Sequence, residues 1–295
     1  MSQPLILIQL DVDPHPSVFD AVVAIDSGVE HLLQYRQVQP RDVMGLVHGA
    51  MFTRGPGQLR STAIFIGGSD VAAGEALAAE VQQTFFSSVR VSVMLDSNGA
   101  NTTAAAAVLS AARHVALDAV DALVMAGTGP VGQRVARLLL GQGATVRLAS
   151  RDSRRAAAAC ETIAEKLGRG RERLLPVDSS SADILAEHLS HANAVFACGA
   201  AGVNLLSQQQ LTTAGGLKVA IDLNAVAPAG LEGIAVTDKA VARGDRVDYG
   251  AIGVGGLKMK IHREAIRTLF TRNDLYLDAE EIFEIGRNLE SASGV

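Results

Sequence analysis

The 295-residue sequence contains no tryptophan, only two cysteines and five lysines, and 4% aromatic side chains. Cys160 and Cys198 are far apart and form no CxxC pair, which argues against a disulfide framework and a zinc knuckle. The seven histidines show no HxH or HExxH spacing, so no metal site is expected. No G-x-S-x-G elbow or Cys–His arrangement marks a covalent nucleophile. No apolar run approaches the roughly 20 residues of a membrane span. The opening MSQPLILIQLDVD lacks the basic region of a secretory signal, so a soluble cytoplasmic protein with no membrane partner is expected. Excess positive charge is also missing. Residues 1–100 carry five basic against ten acidic side chains, and the remainder balances at 21 against 21. Nucleic acid is therefore disfavoured as a partner.

What is present is 48% apolar residues, 29 glycines and an alternation of short β-prone runs with longer helical stretches. That alternation predicts an α/β protein whose parallel sheets are covered by helices. Strands are expected at 5–10, 29–35, 62–66 and 89–95. A first helix is expected to carry an apolar stripe of Val18, Ala21, Val22 and Ile25, and an alanine-rich helix to run over 102–115. A second α/β series starts with strands at 122–126 and 145–149 and continues with strands at 174–177, 194–197 and 219–223. No linker longer than a loop separates the halves, and the alanine-rich helix is the expected junction.

The strongest local signal is Gly127-Thr128-Gly129-Pro130-Val131-Gly132, which follows a predicted strand and opens a predicted helix. A dinucleotide fingerprint requires that context. The first glycine permits the tight turn, the second admits the diphosphate to the backbone, and the third allows close helix–strand packing. Backbone N–H groups and the helix dipole then hold the anion. The end of the next strand selects the dinucleotide. A site for NAD places an acid there, whereas this strand ends Ser150-Arg151, with Arg154 and Arg155 following. Guanidinium groups pair with phosphate bidentately, so NADP is the expected cofactor.

Two further segments concentrate polar groups. In Gly255-Gly256-Leu257-Lys258-Met259-Lys260-Ile261-His262, a helix would place Lys258 and His262 on one face and Lys260 on another. Composition alone leaves this segment open between a site and a solvated helix. Asp96 to Thr103, where a strand gives way to a helix, reads equally as capping chemistry or as the lip of a cleft.

The segments PSVFDAVVAIDSG, STAIFIGGSDVAAGE, MLDSNGANTTAAAAV, AGTGPVG, DLNAVAPAGLEGI and GAIGVGGLKMKIHR together resemble the NADP-dependent methylene-tetrahydromethanopterin/methylene-tetrahydrofolate dehydrogenases of methylotrophic bacteria. The resemblance runs to about residue 285. It implies an N-terminal α/β pterin-side domain, residues 1–110 plus 271–295, and a Rossmann-like NADP-binding domain over 111–270. It also implies a cleft between domains and a homo-oligomer, a trimer, whose neighbour helps wall that cleft. The catalytic roles it implies fall on Phe19, Thr103, Lys258 and His262, and contacts to the cofactor's 2′-phosphate fall on Ser150, Arg151 and Arg155. Ala149-Ser150 and Asp152 depart from a related sequence, which bears on the strength of the NADP preference.

The expected activity is hydride transfer from the methylene carbon of a C1-carrying reduced pterin to NADP. A catalytically idle NADP-binding sensor or assembly subunit, and a related two-domain reductase of another small ring substrate, stay open as alternatives. Residue patterns do not choose between tetrahydromethanopterin and tetrahydrofolate.

Overall fold

In the computed structural model, which describes residues 3–292, the first apolar runs become strands β1 (Ile6–Leu10), β2 (His31–Tyr35), β3 (Thr62–Ile66) and β4 (Ser92–Leu95). Helices α1 (Val18–Asp26), α2 (Pro40–Phe52) and α3 (Val71–Thr84) connect them, and α4 (Ala100–Ala112) follows. Polar caps set the helix starts. Ser17 Oγ accepts the Asp20 amide at α1, and Asp70 Oδ1 accepts the Ala73 amide at α3. Ser69 does not cap α3; its amide and hydroxyl both donate to Asp13, tying the loop after β3 to the loop after β1.

The chain forms two compact units, Met1–Thr102 with Met259–Leu289, and Thr103–Lys258 with Glu290–Val295. Residues 103–110 thus group with the second unit and 259–270 with the first, where the ranges read from sequence assign them the other way. The sheet of the first unit is wholly parallel, in the order β12-β4-β3-β1-β2, with β12 (Tyr276–Leu277) joining from the C-terminal segment. Leu10, Val43, Val47, Leu59, Ile66, Val81 and Val93 form its core under α2 and α3.

The second unit contains β5 (Asp121–Met125), α5 (Pro130–Gly141), β6 (Thr145–Ser150), α6 (Ser153–Leu167), β7 (Leu174–Asp178), α7 (Ala182–His191) and β8 (Ala194–Ala197). Then come α8 (Gln208–Thr213), β9 (Val219–Asp222), β10 (Val241–Arg243) and β11 (Arg246–Tyr249). Its sheet order is β10-β11-β9-β8-β5-β6-β7, parallel except for β10. Read from β7 to β11, this is the doubly wound dinucleotide-binding order, with its switch point between β5 and β8. Helices α9 (Ala251–Thr268) and α10 (Ala279–Ala292) complete the chain. No helix of the described residues is long and apolar enough to cross a membrane.

One expectation is corrected. The apolar stripe of α1 does not enter the core: Val18, Val22 and Ile25 are exposed, and Val23 and Ala24 are the buried positions. The glycine-rich stretch ahead of Lys258 is itself helical, because α9 begins at Ala251. A Cβ on Gly253 would lie 1.8 Å from the Asp238 carbonyl oxygen, so glycine lets this helix lie directly on the backbone of a loop.

Candidate functional site

The turn after β5 carries the packing that the fingerprint glycines imply. Ala126 adopts φ +52°, and a Cβ on Gly127 would meet Leu148 Cδ1 at 2.6 Å and the Val124 carbonyl oxygen at 2.9 Å. A Cβ on Gly132 would lie 2.7 Å from Gly127 Cα, so the first and third glycines let helix, turn and strand touch. Gly129 differs: the nearest atom to its Cβ position is the Ala126 carbonyl oxygen, at 3.6 Å. It is also the N-cap of α5 and supplies no side-chain cap, with Pro130 in the first turn. The turn therefore leaves room and first-turn amides for a diphosphate. Gln133 Nε2 donates to the Thr128 carbonyl at 2.8 Å and holds the turn in shape.

Beside this turn lies a cavity of about 590 Å³, bordered by Thr128, Ser150, Arg151, Arg155, Ser179 and Asn204. The cofactor-binding residues read from sequence at the end of β6 thus share one cavity with Thr128. Asp152 also borders this cavity, one residue after Arg151, and its Oδ1 accepts the Arg154 and Arg155 amides and caps α6. The Asp152 amide in turn donates to Ser150 Oγ at 3.2 Å. The guanidinium groups of Arg151 and Arg155 and the Ser150 hydroxyl thus border the cavity beside the Asp152 carboxylate, as donors that a ribose phosphate would need.

At the ends of β8 and β9 the structure shows a feature that sequence reasoning missed. Asp222, 2% exposed, accepts the Asn224 and Leu231 amides, each at 2.9 Å, so one carboxylate anchors both ends of the intervening loop. Asn224 closes the loop from inside, donating to the Pro228 carbonyl and accepting the Val226 amide. Burial raises the Asp222 pKa despite these amides. Burial, with Asp222 nearby, pushes the Cys198 thiol up to about 12, which leaves it protonated and unreactive at neutral pH.

In the first unit the ends of β1 and β3 form the other focus. This is where the connections diverge, β1 leading to the edge strand β2 and β3 leading to β4 on the opposite side. Asp11, fully buried, accepts the Asp13 amide at 2.9 Å, the Ser17 amide at 3.1 Å and Gln9 Nε2 at 3.3 Å. It thereby fixes the loop that starts α1. Phe19, half exposed on α1, sits with its ring centroid 6.2 Å from that of His262. His262 stacks on Phe65 from the other direction, at 5.8 Å and 20°. His262 is only 1% exposed, so it backs the Phe19 ring from below. A Cβ on Gly67 would fall 3.1 Å from Phe65 Cε1, 3.3 Å from Asp11 Oδ2 and 3.6 Å from Asp20 Oδ2. Gly67 and Asp20 were not singled out from sequence; the Gly67-Gly68 pair closing β3 was the available signal.

Lys258 and Thr103 lie at the ends of the second unit's main segment, each half-buried. Lys260 is exposed, as a separate helix face requires. The segment from Asp96 to Thr102 resolves as capping chemistry. Asp96, 1% exposed, accepts the Asn101 and Thr102 amides and the Thr102 hydroxyl. Asn101 Nδ2 donates to the Leu95 carbonyl and to Asp278 Oδ1, joining α4 to the start of α10. Thr103, one residue on, is outside these bonds.

Comparison with known proteins gives a consistent set of likenesses. Residues 18–98 match the family model described as methylene-tetrahydromethanopterin dehydrogenase, N-terminal. The bifunctional protein MdtA of Methylorubrum extorquens is 41% identical over 291 residues, covering 98% of this chain and 100% of its own. The NAD(P)-dependent methylenetetrahydromethanopterin dehydrogenase of the same organism is 29% identical over 281 residues, 92% of this chain and 94% of its own. Among solved structures, quinate dehydrogenase from Corynebacterium glutamicum in complex with NAD aligns over 98% of this chain and 99% of its own. Its TM-score is 0.50 at 14% identity, a likeness of fold.

Proposed function

This chain belongs to the methylene-tetrahydromethanopterin dehydrogenase family, and from that premise we propose that it is an oxidoreductase moving a hydride from the methylene carbon of methylene-tetrahydromethanopterin or methylene-tetrahydrofolate to NADP. The observation that carries the cofactor assignment is the cavity where Ser150, Arg151 and Arg155 border the fingerprint turn, with Asp152 Oδ1 capping α6.

NADP, when bound, supplies the nicotinamide carbon that accepts the hydride. The protein's task is placement. The Gly127–Gly132 turn holds the diphosphate, and Ser150, Arg151 and Arg155 grip the ribose phosphate. Phe19, backed by His262, offers an apolar face to the pterin. Oxidising an N–CH2–N carbon to a methenyl amidinium removes no proton from that carbon, so a general base is not the first requirement. Orientation alone contributes several kcal/mol to lowering such a barrier. Lys258 serves as a fixed donor to a ring carbonyl and Thr103 as a second polar contact.

The protein is cytoplasmic and works as a homo-oligomer, a trimer on the family resemblance. Exposed Val18, Val22 and Ile25 on α1 support assembly, since fully burying an apolar side chain is worth about 1.5–3 kcal/mol. The test is an ultraviolet assay for NADPH formation with each methylene pterin. Pterin-dependent turnover is expected with NADP, at higher kcat/KM than with NAD. NADPH binding without pterin-dependent turnover overturns the reading. Light scattering at assay concentration checks the assembly, and a 30.7 kDa species overturns it.

A further inference from the structure

We propose that Asp152 is a specificity-determining residue of the cofactor site. Its carboxylate accepts the adenosine ribose hydroxyl of NAD and opposes the 2′-phosphate of NADP, so the chain binds both dinucleotides and Asp152 sets the ratio between them. This rests on the reading that the cavity beside the fingerprint turn holds a nicotinamide dinucleotide.

The two cofactors differ at the 2′ oxygen of that ribose, free as a hydroxyl in NAD and esterified by phosphate in NADP. A hydroxyl donates and needs an acceptor, whereas a phosphate needs donors and positive charge. The end of β6 presents both to one cavity. Ser150, Arg151 and Arg155 border it as donors, and Asp152 borders it as an anion that only accepts. Ser150 Oγ accepts the Asp152 amide at 3.2 Å, which leaves the hydroxyl proton to donate. Asp152 stands about 20 residues after Gly132, the spacing at which a dinucleotide fold carries the acid for a ribose hydroxyl, here just beyond the end of β6.

Capping does not exhaust this carboxylate. Oδ1 accepts the Arg154 and Arg155 amides, at 2.9 and 3.2 Å, while Oδ2 accepts no hydrogen bond from the described residues. The cap itself also bears on phosphate. First-turn amides of a helix are the groups that hold a phosphate, and at α6 Asp152 already occupies two of them. Asp152 therefore works against phosphate twice, by its charge and by filling donors. Arg151 and Arg155 work in the other direction, two cations against one anion, which keeps NADP the preferred cofactor. All three side chains are exposed, so water and salt moderate the contest and NAD is still admitted.

The test is Asp152→Asn, because asparagine caps a helix about as well as aspartate and carries no charge. Dissociation constants of the full-length protein for NADPH and NADH are measured by nicotinamide fluorescence. The expected result is NADPH bound about 10-fold more tightly and NADH about fivefold more weakly, at an unchanged melting temperature. In about 0.5 M salt the gain for NADPH narrows, as screening of an exposed charge requires. Asp152→Glu keeps the charge and holds the ratio closer to wild type. An unchanged ratio in Asp152→Asn makes Asp152 a helix cap alone and overturns the proposal, as does weaker NADPH binding at an unchanged melting temperature. A wild-type protein that binds neither dinucleotide overturns the cofactor reading instead, and the two failures are read separately.

Discussion

The imidazole of His262 stacks on the ring of Phe65, with centroids 5.8 Å apart and planes 20° from parallel. A residue from a helix late in the chain thereby becomes part of the floor beneath Phe19. His262→Ala removes that floor. The expected outcome is a cavity penalty of about 2–4 kcal/mol and a raised KM for the pterin, with the KM for NADP unchanged. Thermal melts and steady-state kinetics check it; a fall in kcat alone, at unaltered KM and stability, contradicts the supporting role.

Arg151→Ala should lower kcat/KM for NADP about 10- to 100-fold, the range for losing a charge-assisted contact to phosphate. NAD, which lacks that phosphate, should be used nearly as before. Parallel assays with the two cofactors decide, and equal losses would return Arg151 to a folding role.

The fingerprint glycines separate packing from binding. Gly132→Ala drives a methyl to within 2.7 Å of Gly127 Cα, and about 1–3 kcal/mol of stability is expected to go with it. Gly129→Ala meets nothing closer than 3.6 Å, so its melting temperature should hold while NADP affinity drops. A calorimetric melt and a fluorescence titration on each variant distinguish the two. Matching stability losses would mean that Gly129 has no ligand-specific task.

Lys258→Ala is expected to cut kcat about 100-fold at saturating pterin while NADPH binding stays at the wild-type level. Lys260→Ala, on the exposed face, should stay within about threefold of wild type. Comparable damage from both would make the segment a solvated helix with a stability role.

Stability should fall as pH drops from 7.5 towards 5. His188 Nδ1 lies 2.7 Å from Arg147 Nη1, and His114 Nε2 lies 2.8 Å from the Tyr249 hydroxyl. Burial, then the adjacent arginine in each case, lowers both pKa values below the ordinary 6.5. The unfolded chain therefore takes up protons near pH 6.5 that the folded chain refuses, so acidification through that window favours unfolding. Melting temperatures across the range check this, and His188→Gln should flatten part of the slope. A melting temperature that rises on acidification overturns the assignment.

Much of this was legible in the sequence because it depends on local patterns. Apolar runs ending in glycine or aspartate gave the strands, and the spacing of Gly127, Gly129 and Gly132 located the cofactor turn. The apolar stripe of α1 misled, since Val18, Val22 and Ile25 have the period of a buried face yet remain exposed. Periodicity reports that a face wants covering and does not say by what. Strands β10 and β11 escaped notice because they are only three and four residues long and carry Arg243, Arg246 and Asp248, which pair with one another. Asp222 was illegible for a different reason: its partners, the Asn224 and Leu231 amides, are close in sequence, but only the folded loop brings both to one carboxylate.

The pairing of β12 with β4 has a consequence for how the protein is made. The Ser92 hydroxyl donates to the Arg272 carbonyl across 180 residues, and the Val93 amide donates to the Leu275 carbonyl beside it. A ribosome adding about 5–20 residues per second leaves roughly 10–40 s between the appearance of these partners. Through that interval β4 is an open parallel edge with unpaired amides and carbonyls, the kind of surface that recruits other strands. Thr103–Lys258, by contrast, emerges as one uninterrupted stretch. The sheet that begins the chain is therefore the last to be completed, and a nascent chain halted before Leu277 presents β4 to chaperones and to its neighbours on the polysome.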